Sequence, residues 1–366
     1  MSKQKSKSRI YVCHTYYHVY VSYLKEFALT KEEQGTATLV LSKMSTNFEK
    51  LKERVAKSGM FAEIYEYDEK RQSFYPELAK YMVEGSNIVV NMLRRISMTK
   101  KFGRLCEQDI PVDFKEYEDI YVYCDSDPIG FYLNWKHIPY HAMEDGLNCL
   151  KNFNLAIYDN RGFFKLKAFM SSKLNLIFIQ DGYGKYCIDM EVNDLSVIQH
   201  KYHKYVEVNR QKLVDRLTRE EKDIILNVFV RDLDTLKGQI QEGMSQDKVM
   251  ILTEPLCDLD TRERLFKDLI KTYEKEGQVY IKPHPRDELD YRTLFSEYPQ
   301  IDGIVPMEML NFLDGFRVKK IVSVFTELDE IKFADEMVRL GPDFMDDYEP
   351  REMHDQTEII SKETKI

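Results

Sequence analysis

An α/β protein of two domains is the fold this sequence predicts, on three observations. Runs of β-type residues alternate with helix-patterned runs, as parallel βαβ units covered on both faces require. The alternation occurs twice, on either side of a more charged and less regular stretch. The length, 366 residues, exceeds what a single hydrophobic core usually organises.

The first array opens with an apolar strand at 10–13, a polar turn His14-Thr15-Tyr16-Tyr17-His18 and a helix over 19–29. Strands follow at 37–41, 64–67, 119–124 and 139–143, with helices at 47–58, at 76–98 and after Pro128. From 151 to 248 the pattern weakens. It offers a strand at 176–179, a helix over 218–235 and a glycine-containing linker over 236–248. The second array places strands at 249–253, 279–282, 303–306 and 320–324, with helices at 261–276, 288–295, 307–313 and from Asp329 onward. The expected domains are 1–240 and 249–345, followed by a tail at 346–366. Two Rossmann-like domains of this kind enclose a central cleft, and ligands bind just beyond the carboxyl ends of their strands.

Composition narrows the function. Apolar residues make up 43% and charged residues 31%, a globular balance. The formal net charge of -9 lacks the basic footprint of a general nucleic-acid binder, so no nucleic acid is expected as partner. No run approaches the ~20 apolar residues that cross a bilayer. The basic start, Met1-Ser2-Lys3-Gln4-Lys5-Ser6-Lys7-Ser8-Arg9, has no apolar core or cleavage site behind it, which predicts a cytoplasmic protein. Its lysines either fray in solvent or make a weak peripheral contact to anionic lipid on the inner face of the plasma membrane. Six scattered cysteines form no Cys-x-x-Cys pair, against a structural zinc site. Neither a P-loop nor a Gly-x-Gly-x-x-Gly occurs, against nucleotide triphosphate and nicotinamide chemistry.

The strand ends carry the polar chemistry. After the strand at 279–282 comes Lys282-Pro283-His284-Pro285-Arg286: two prolines stiffen a loop that sets an imidazole between two cations. Such a loop suits a leaving phosphate, to which His284 donates a hydrogen bond or a proton while Lys282 and Arg286 add charge. After the strand at 139–143 comes Glu144-Asp145-Gly146, where a carboxylate can act as general base or simply cap a helix. Gln180-Asp181-Gly182 is a competing acidic turn, which a self-bonded turn explains without a ligand. Thr253-Glu254 and Ser323-Val324-Phe325-Thr326 end two further strands, where hydroxyls and backbone N–H groups hold phosphate oxygens or cap helices. Thr15, Tyr16 and His18, with Asp125 of Cys124-Asp125-Ser126-Asp127, are candidates for contact with an acceptor or the cleft. The four-residue spacing of His14 and His18 can chelate a metal, but no third ligand is apparent. The pairs Asp125/Asp127 and Asp258/Asp260 fit loops as well as an ion. No metal and no cofactor is expected.

In combination, Glu144-Asp145-Gly146, then His284-Pro285, then the Ser323 to Thr326 hydroxyls resemble the ordered motifs of the bacterial sialyltransferases of glycosyltransferase family 52 and of bacterial polysialyltransferases. The segment Ile251-Leu252-Thr253-Glu254-Pro255-Leu256 is similar to a strand-end sequence of that family. The resemblance implies a metal-independent GT-B fold, with an acceptor-side domain at 1–240 and a nucleotide-binding domain at 249–345. It implies inverting transfer from CMP-sialic acid to a glycan hydroxyl of a capsule polysaccharide or lipooligosaccharide. An acid of the Glu144-Asp145 pair would deprotonate the acceptor, His284 would assist departure of CMP, and Ser323 or Thr326 would bind its phosphate. Where the family pairs two hydroxyls, this chain has Phe325-Thr326. Relatives of the family also imply a homodimer. Two rivals stand beside this reading: a CDP-glycerol-type glycerophosphotransferase, which carries a Lys-Pro-His-Pro-like segment, and a catalytically inactive nucleotide-binding protein of the same fold.

Overall fold

A computed structural model describes residues 7–45, 47–70, 75–83, 85–151, 154–242, 247–328 and 331–354. The chain divides into two compact units between Leu217 and Thr218. The division falls ahead of the 240–249 boundary expected from sequence, because the helix Arg219–Phe229 (α9) packs against the 3₁₀ helix Met307–Phe312 of the second unit.

The first unit holds a seven-stranded parallel sheet. Its strands are β1 (Lys7–Cys13), β2 (Thr38–Ser42), β3 (Glu63–Tyr67), β4 (Tyr117–Tyr123), β5 (Tyr140–Met143), β6 (Cys187–Val192) and β7 (Tyr205–Glu207). They lie in the order β3-β2-β1-β4-β5-β6-β7, with helices α1 (Tyr16–Phe27), α2 (Leu51–Ser58), α3 (Ala79–Met82), α4 (Ile88–Cys106), α5 (Pro128–Lys136), α6 (Leu155–Asp159), α7 (Phe164–Ser172) and α8 (Arg210–Val214) in the connections and after the last strand. The alternation seen in the sequence accounts for the first five. Strand β6 was not legible: Cys187-Ile188-Asp189-Met190-Glu191-Val192 interrupts its apolar pattern with two acids. Asp189 Oδ1 lies 2.8 Å from His141 Nδ1, and Lys25 Nζ donates to both Glu191 carboxylate oxygens at 2.6 Å. Pairing thus makes half-buried charge tolerable in the sheet.

Residues 176–179, expected as a strand, form none. Ile177, Phe178 and Ile179 are buried, but their segment is held by the end of the helix α7 (Phe164–Ser172): Leu176 N–H donates to Met170 O and Ile179 N–H to Ser171 Oγ. The helix expected over 76–98 breaks, and its long member α4 (Ile88–Cys106) starts at Asn87, whose side chain accepts from the Val89 and Val90 amides. Residues 1–6 lie outside the described part. Lys7 and Arg9 pair with Glu63 at 2.7 Å and Glu26 at 2.9 Å.

The second unit has a four-stranded parallel sheet formed by β8 (Lys248–Leu252), β9 (Gln278–Lys282), β10 (Val318–Ser323) and β11 (Ala334–Arg339), in the order β11-β10-β8-β9. The linker expected at 236–248 is helical in its described first part, within α10 (Leu233–Glu242). Residues 303–306 form a turn rather than a strand, with Val305 N–H bonded to Asp302 O. Asp329, where a helix was expected to begin, lies outside the described residues, and β11 follows soon after.

In both sheets the strand order reverses beside the first strand: between β1 and β4 in one, between β8 and β10 in the other. Loops leaving adjacent strands diverge there and open a crevice. The polar strand ends singled out in the sequence border these two places.

Candidate active site

In the first unit, the turn after β1 feeds the helix α1 (Tyr16–Phe27), capped by Thr15, whose hydroxyl accepts from His18 N–H at 3.2 Å. This geometry buries His18 completely and stacks it on Tyr123, 4.3 Å between centroids. His18 Nδ1 accepts from the His14 amide at 3.0 Å. Its proton therefore sits on Nε2, which donates to Asp145 Oδ1 at 2.9 Å and to the Asp145 carbonyl at 2.7 Å. Burial lowers the His18 pKa, which keeps the ring neutral.

Asp145, two residues beyond the β5 end, also accepts from the Cys124 thiol at 2.9 Å. Burial disfavours its charge, but the hydrogen bonds donated by His18 Nε2–H and the Cys124 thiol outweigh this and hold the carboxyl well below the usual range. Its side chain stays 59% exposed, so an ionised oxygen faces solvent. Glu144 does the opposite. It is buried, takes the Asn193 N–H at 2.7 Å and has its pKa raised by burial. The paired acids thus have separate surroundings, one tied inward and one presented outward.

The other candidates of this unit are tethers or packing. Asp125 is buried and bridges the Asp181 N–H (2.9 Å) and the Tyr140 hydroxyl (2.8 Å). Burial and the Asp125 charge in turn push Asp181 up. A Cβ at Gly130 would stand 1.8 Å from the Asp125 carbonyl oxygen, so only glycine lets the helix α5 (Pro128–Lys136) approach this turn. Tyr16 turns into the core against Phe48, at 5.5 Å, because it falls on the inner face of α1.

Sequence reasoning missed Glu69. Fully buried beyond β3, it meets His14 Nε2 at 2.7 Å and accepts from Ser42 Oγ at 2.7 Å and Ile129 N–H at 2.6 Å. Burial disfavours the His14 charge, yet Glu69 prevails and raises its pKa. An acid two residues past a strand end was the available signal. His14, His18 and Cys124, and also His14, Glu69 and Asp127, bring ligand-type atoms within 4.8 Å of one another. His14 Nδ1 is buried without a hydrogen-bond partner among the described residues, whereas its Nε2 is engaged by Glu69 and both ring nitrogens of His18 are engaged, by the His14 amide and by Asp145.

In the second unit, Thr253 ties β8 to the His-Pro loop: its hydroxyl accepts from His284 N–H at 3.0 Å and donates to Asp287 at 3.2 Å. Asp287, also missed, is anchored by Arg262 at 2.6 Å and the Tyr291 hydroxyl at 2.8 Å. His284 Nδ1 accepts from the Arg286 amide at 3.2 Å, which leaves Nε2 as the protonated nitrogen. Burial, then Arg286 and Lys282, lower its pKa to about 4. The ring is thus a neutral donor near pH 7. Lys282 is buried and turned toward the carbonyls of Gly303 (3.2 Å) and Asp302 (3.4 Å), with its pKa pushed down to about 8 by burial. Pro285 and Arg286 are exposed.

Glu254 fills the amide cradle after β10, accepting from Val324, Phe325 and Thr326 N–H at 2.9–3.1 Å. Ser323 Oγ donates to Thr326 O at 2.9 Å. Four of the predicted nucleotide-binding residues are therefore bonded to each other. Glu254→Ala would strand three amides and is expected to cost this unit about 1–3 kcal/mol in chemical denaturation, with Glu254→Gln losing less. His18→Phe, which keeps a ring on Tyr123 but cannot donate, is expected to raise the Asp145 pKa. The acid limb of a pH–activity profile then moves to higher pH, and His18→Gln, which can donate, moves it less.

The fold class is α/β with two parallel sheets, GT-B-like. Three solved sialyltransferases share it: that of Photobacterium phosphoreum (TM-score 0.50, 11% identity, 91% of this chain and 90% of that one), that of Photobacterium sp. JT-ISH-224 (0.50, 10%, 91% and 71%), and the GT-B domain of the Photobacterium damselae enzyme (0.50, 12%, 90% and 89%). A sequence model of glycosyltransferase family 52 matches residues 38–326, well over half of the chain, and the chain belongs to that family. An uncharacterized protein of Haemophilus influenzae is 29% identical over 124 residues, spanning 32% of this chain and 38% of that protein. Among the described residues no helix is long and apolar enough to cross a membrane.

Proposed function

We propose that this chain is an inverting sialyltransferase that moves sialic acid from CMP-sialic acid to a glycan hydroxyl of a cell-surface polysaccharide or lipooligosaccharide. The observation that carries the reading is Asp145, a solvent-reaching carboxylate held ionised by a buried, neutral histidine at the switch point of a family 52 fold. Asp145 is the general base for the acceptor hydroxyl, and Glu144 shapes the turn that presents it. The sialyltransferase of Photobacterium sp. JT-ISH-224 was solved with the donor product CMP and the acceptor substrate lactose, which supports a cytidine donor here.

His284 serves the departing phosphate. The second ionisation of a phosphate monoester lies near pH 6, so CMP leaves readily without taking up a proton. A neutral Nε2–H that strengthens its hydrogen bond as charge develops is then sufficient. Arg286, exposed beside it, adds charge. The proposed site of action is the cytoplasm, with a peripheral contact to the inner face of the plasma membrane. Release of CMP from CMP-sialic acid, compared with release from CDP-glycerol, tests the donor. Turnover of the first alone is expected; turnover of only the second would replace this reading by the glycerophosphotransferase.

A further inference from the structure

We infer that the outer faces of α4 and α7 form one docking surface for an anionic phospholipid bilayer. Both helices turn their inner faces to the same small core: Met92 and Ile96 from α4, and Phe164 and Ala168 from α7, pack around Ile177 and Tyr183. Arg95 further ties α4 to Asn160 and to the Phe178 carbonyl. What remains outside is apolar. Ile88, Val89 and Leu93 on α4, with Phe163, Leu166 and Phe169 at α7, are 51–71% exposed. Phe163, the most exposed of them, stands at the N-cap of α7 with a left-handed φ of 58°, next to Gly162 at φ 71°.

Charge selects the occupant. The stretches 88–106 and 160–179 contain nine lysines and arginines and no aspartate or glutamate, in a chain of net charge -9. Among the described residues, no carboxylate lies within ion-pair distance of Lys100, Lys101, Lys165 or Lys173. Aliphatic and phenyl groups interleaved with lysines suit the boundary between acyl chains and acidic headgroups. A second copy would press like charge on like charge across a twofold interface. A hollow of about 450 Å³ between Lys100 on α4 and Leu174 beyond α7, lined also by Trp135 and Lys185, offers room for a headgroup on the same face. The lipid contact thus lies on these helices, whereas Lys7 at the chain start is paired with Glu63.

The surface is independent of the transferase chemistry and is tested without donor. The full chain is mixed with vesicles of phosphatidylcholine alone or with phosphatidylglycerol, and binding is read by co-sedimentation and by the emission of Trp135, the chain's one tryptophan. Binding to the phosphatidylglycerol vesicles only, weakening with salt, is expected. Lys100→Ala and Lys173→Ala each lower the partition coefficient about fivefold. Leu166→Asp with Phe169→Asp abolishes binding, while circular dichroism and transfer to a soluble acceptor are retained. Three results overturn the proposal: no preference for acidic lipid, wild-type binding by the folded double variant, or a dimer in light scattering that this variant splits.

Discussion

Asp145→Asn is expected to lower transfer by about one hundred- to ten thousand-fold, the range for removal of a general base. The substitution is a clean one in this setting. The oxygen of the introduced amide can still accept from His18 Nε2 and from the Cys124 thiol, so the turn keeps its shape and loses only its charge. The loss should fall on kcat, with the affinity for CMP little changed, because Asp145 belongs to the first unit while the residues proposed to hold the phosphate, His284 and Arg286, belong to the second. Glu144→Gln gives the contrast. Glu144 is buried on the Asn193 amide, so its replacement is expected to lower thermal stability more than the rate at permissive temperature. A kinetic comparison of the two variants assigns the base; equal loss in both would remove Asp145 from that role.

His284→Ala is expected to cost about one hundred- to one thousand-fold in kcat, the magnitude for loss of one preorganised donor to developing charge. The pH dependence is distinctive. With its pKa lowered to about 4, the free imidazole is already neutral across about pH 5 to 8, where an ordinary histidine titrates. The kcat/KM profile of the wild type should therefore show no step from His284 in that window. A step there that disappears in His284→Ala would mean that the ring acts as an imidazolium acid. The fate of the loop is separable, since Thr253 bonds the backbone amide of residue 284 and not its ring.

The halves of this molecule were unequally legible. Strands β1 to β5 and β8 to β10 announced themselves by β-type apolar runs ending in polar turns, and so did the positions of His18, Asp145 and His284 just beyond them. Local patterns cannot report partners far along the chain. Glu254 reads as a nucleotide-binding residue until it is seen holding the amides of 324–326, 70 residues away. Lys282 reads as a free cation until its ammonium is found against two carbonyls. Glu69 and Asp287 carry no motif, yet one steadies His14 and the other anchors Thr253. Residues 176–179 have strand composition, but the helix before them satisfies their backbone. For Glu254 and Lys282, hydrogen bonds to residues far along the chain decide the role; for 176–179 the bonds come from the adjoining helix.

Proton NMR of a reaction containing CMP-sialic acid and a glycan acceptor tests the central claim most directly. A single displacement with Asp145 as base and His284 at the phosphate predicts that the first sialoside formed has the anomeric configuration opposite to that of the donor. A first product of retained configuration, or an unchanged donor signal in the presence of active, folded protein and acceptor, would contradict it.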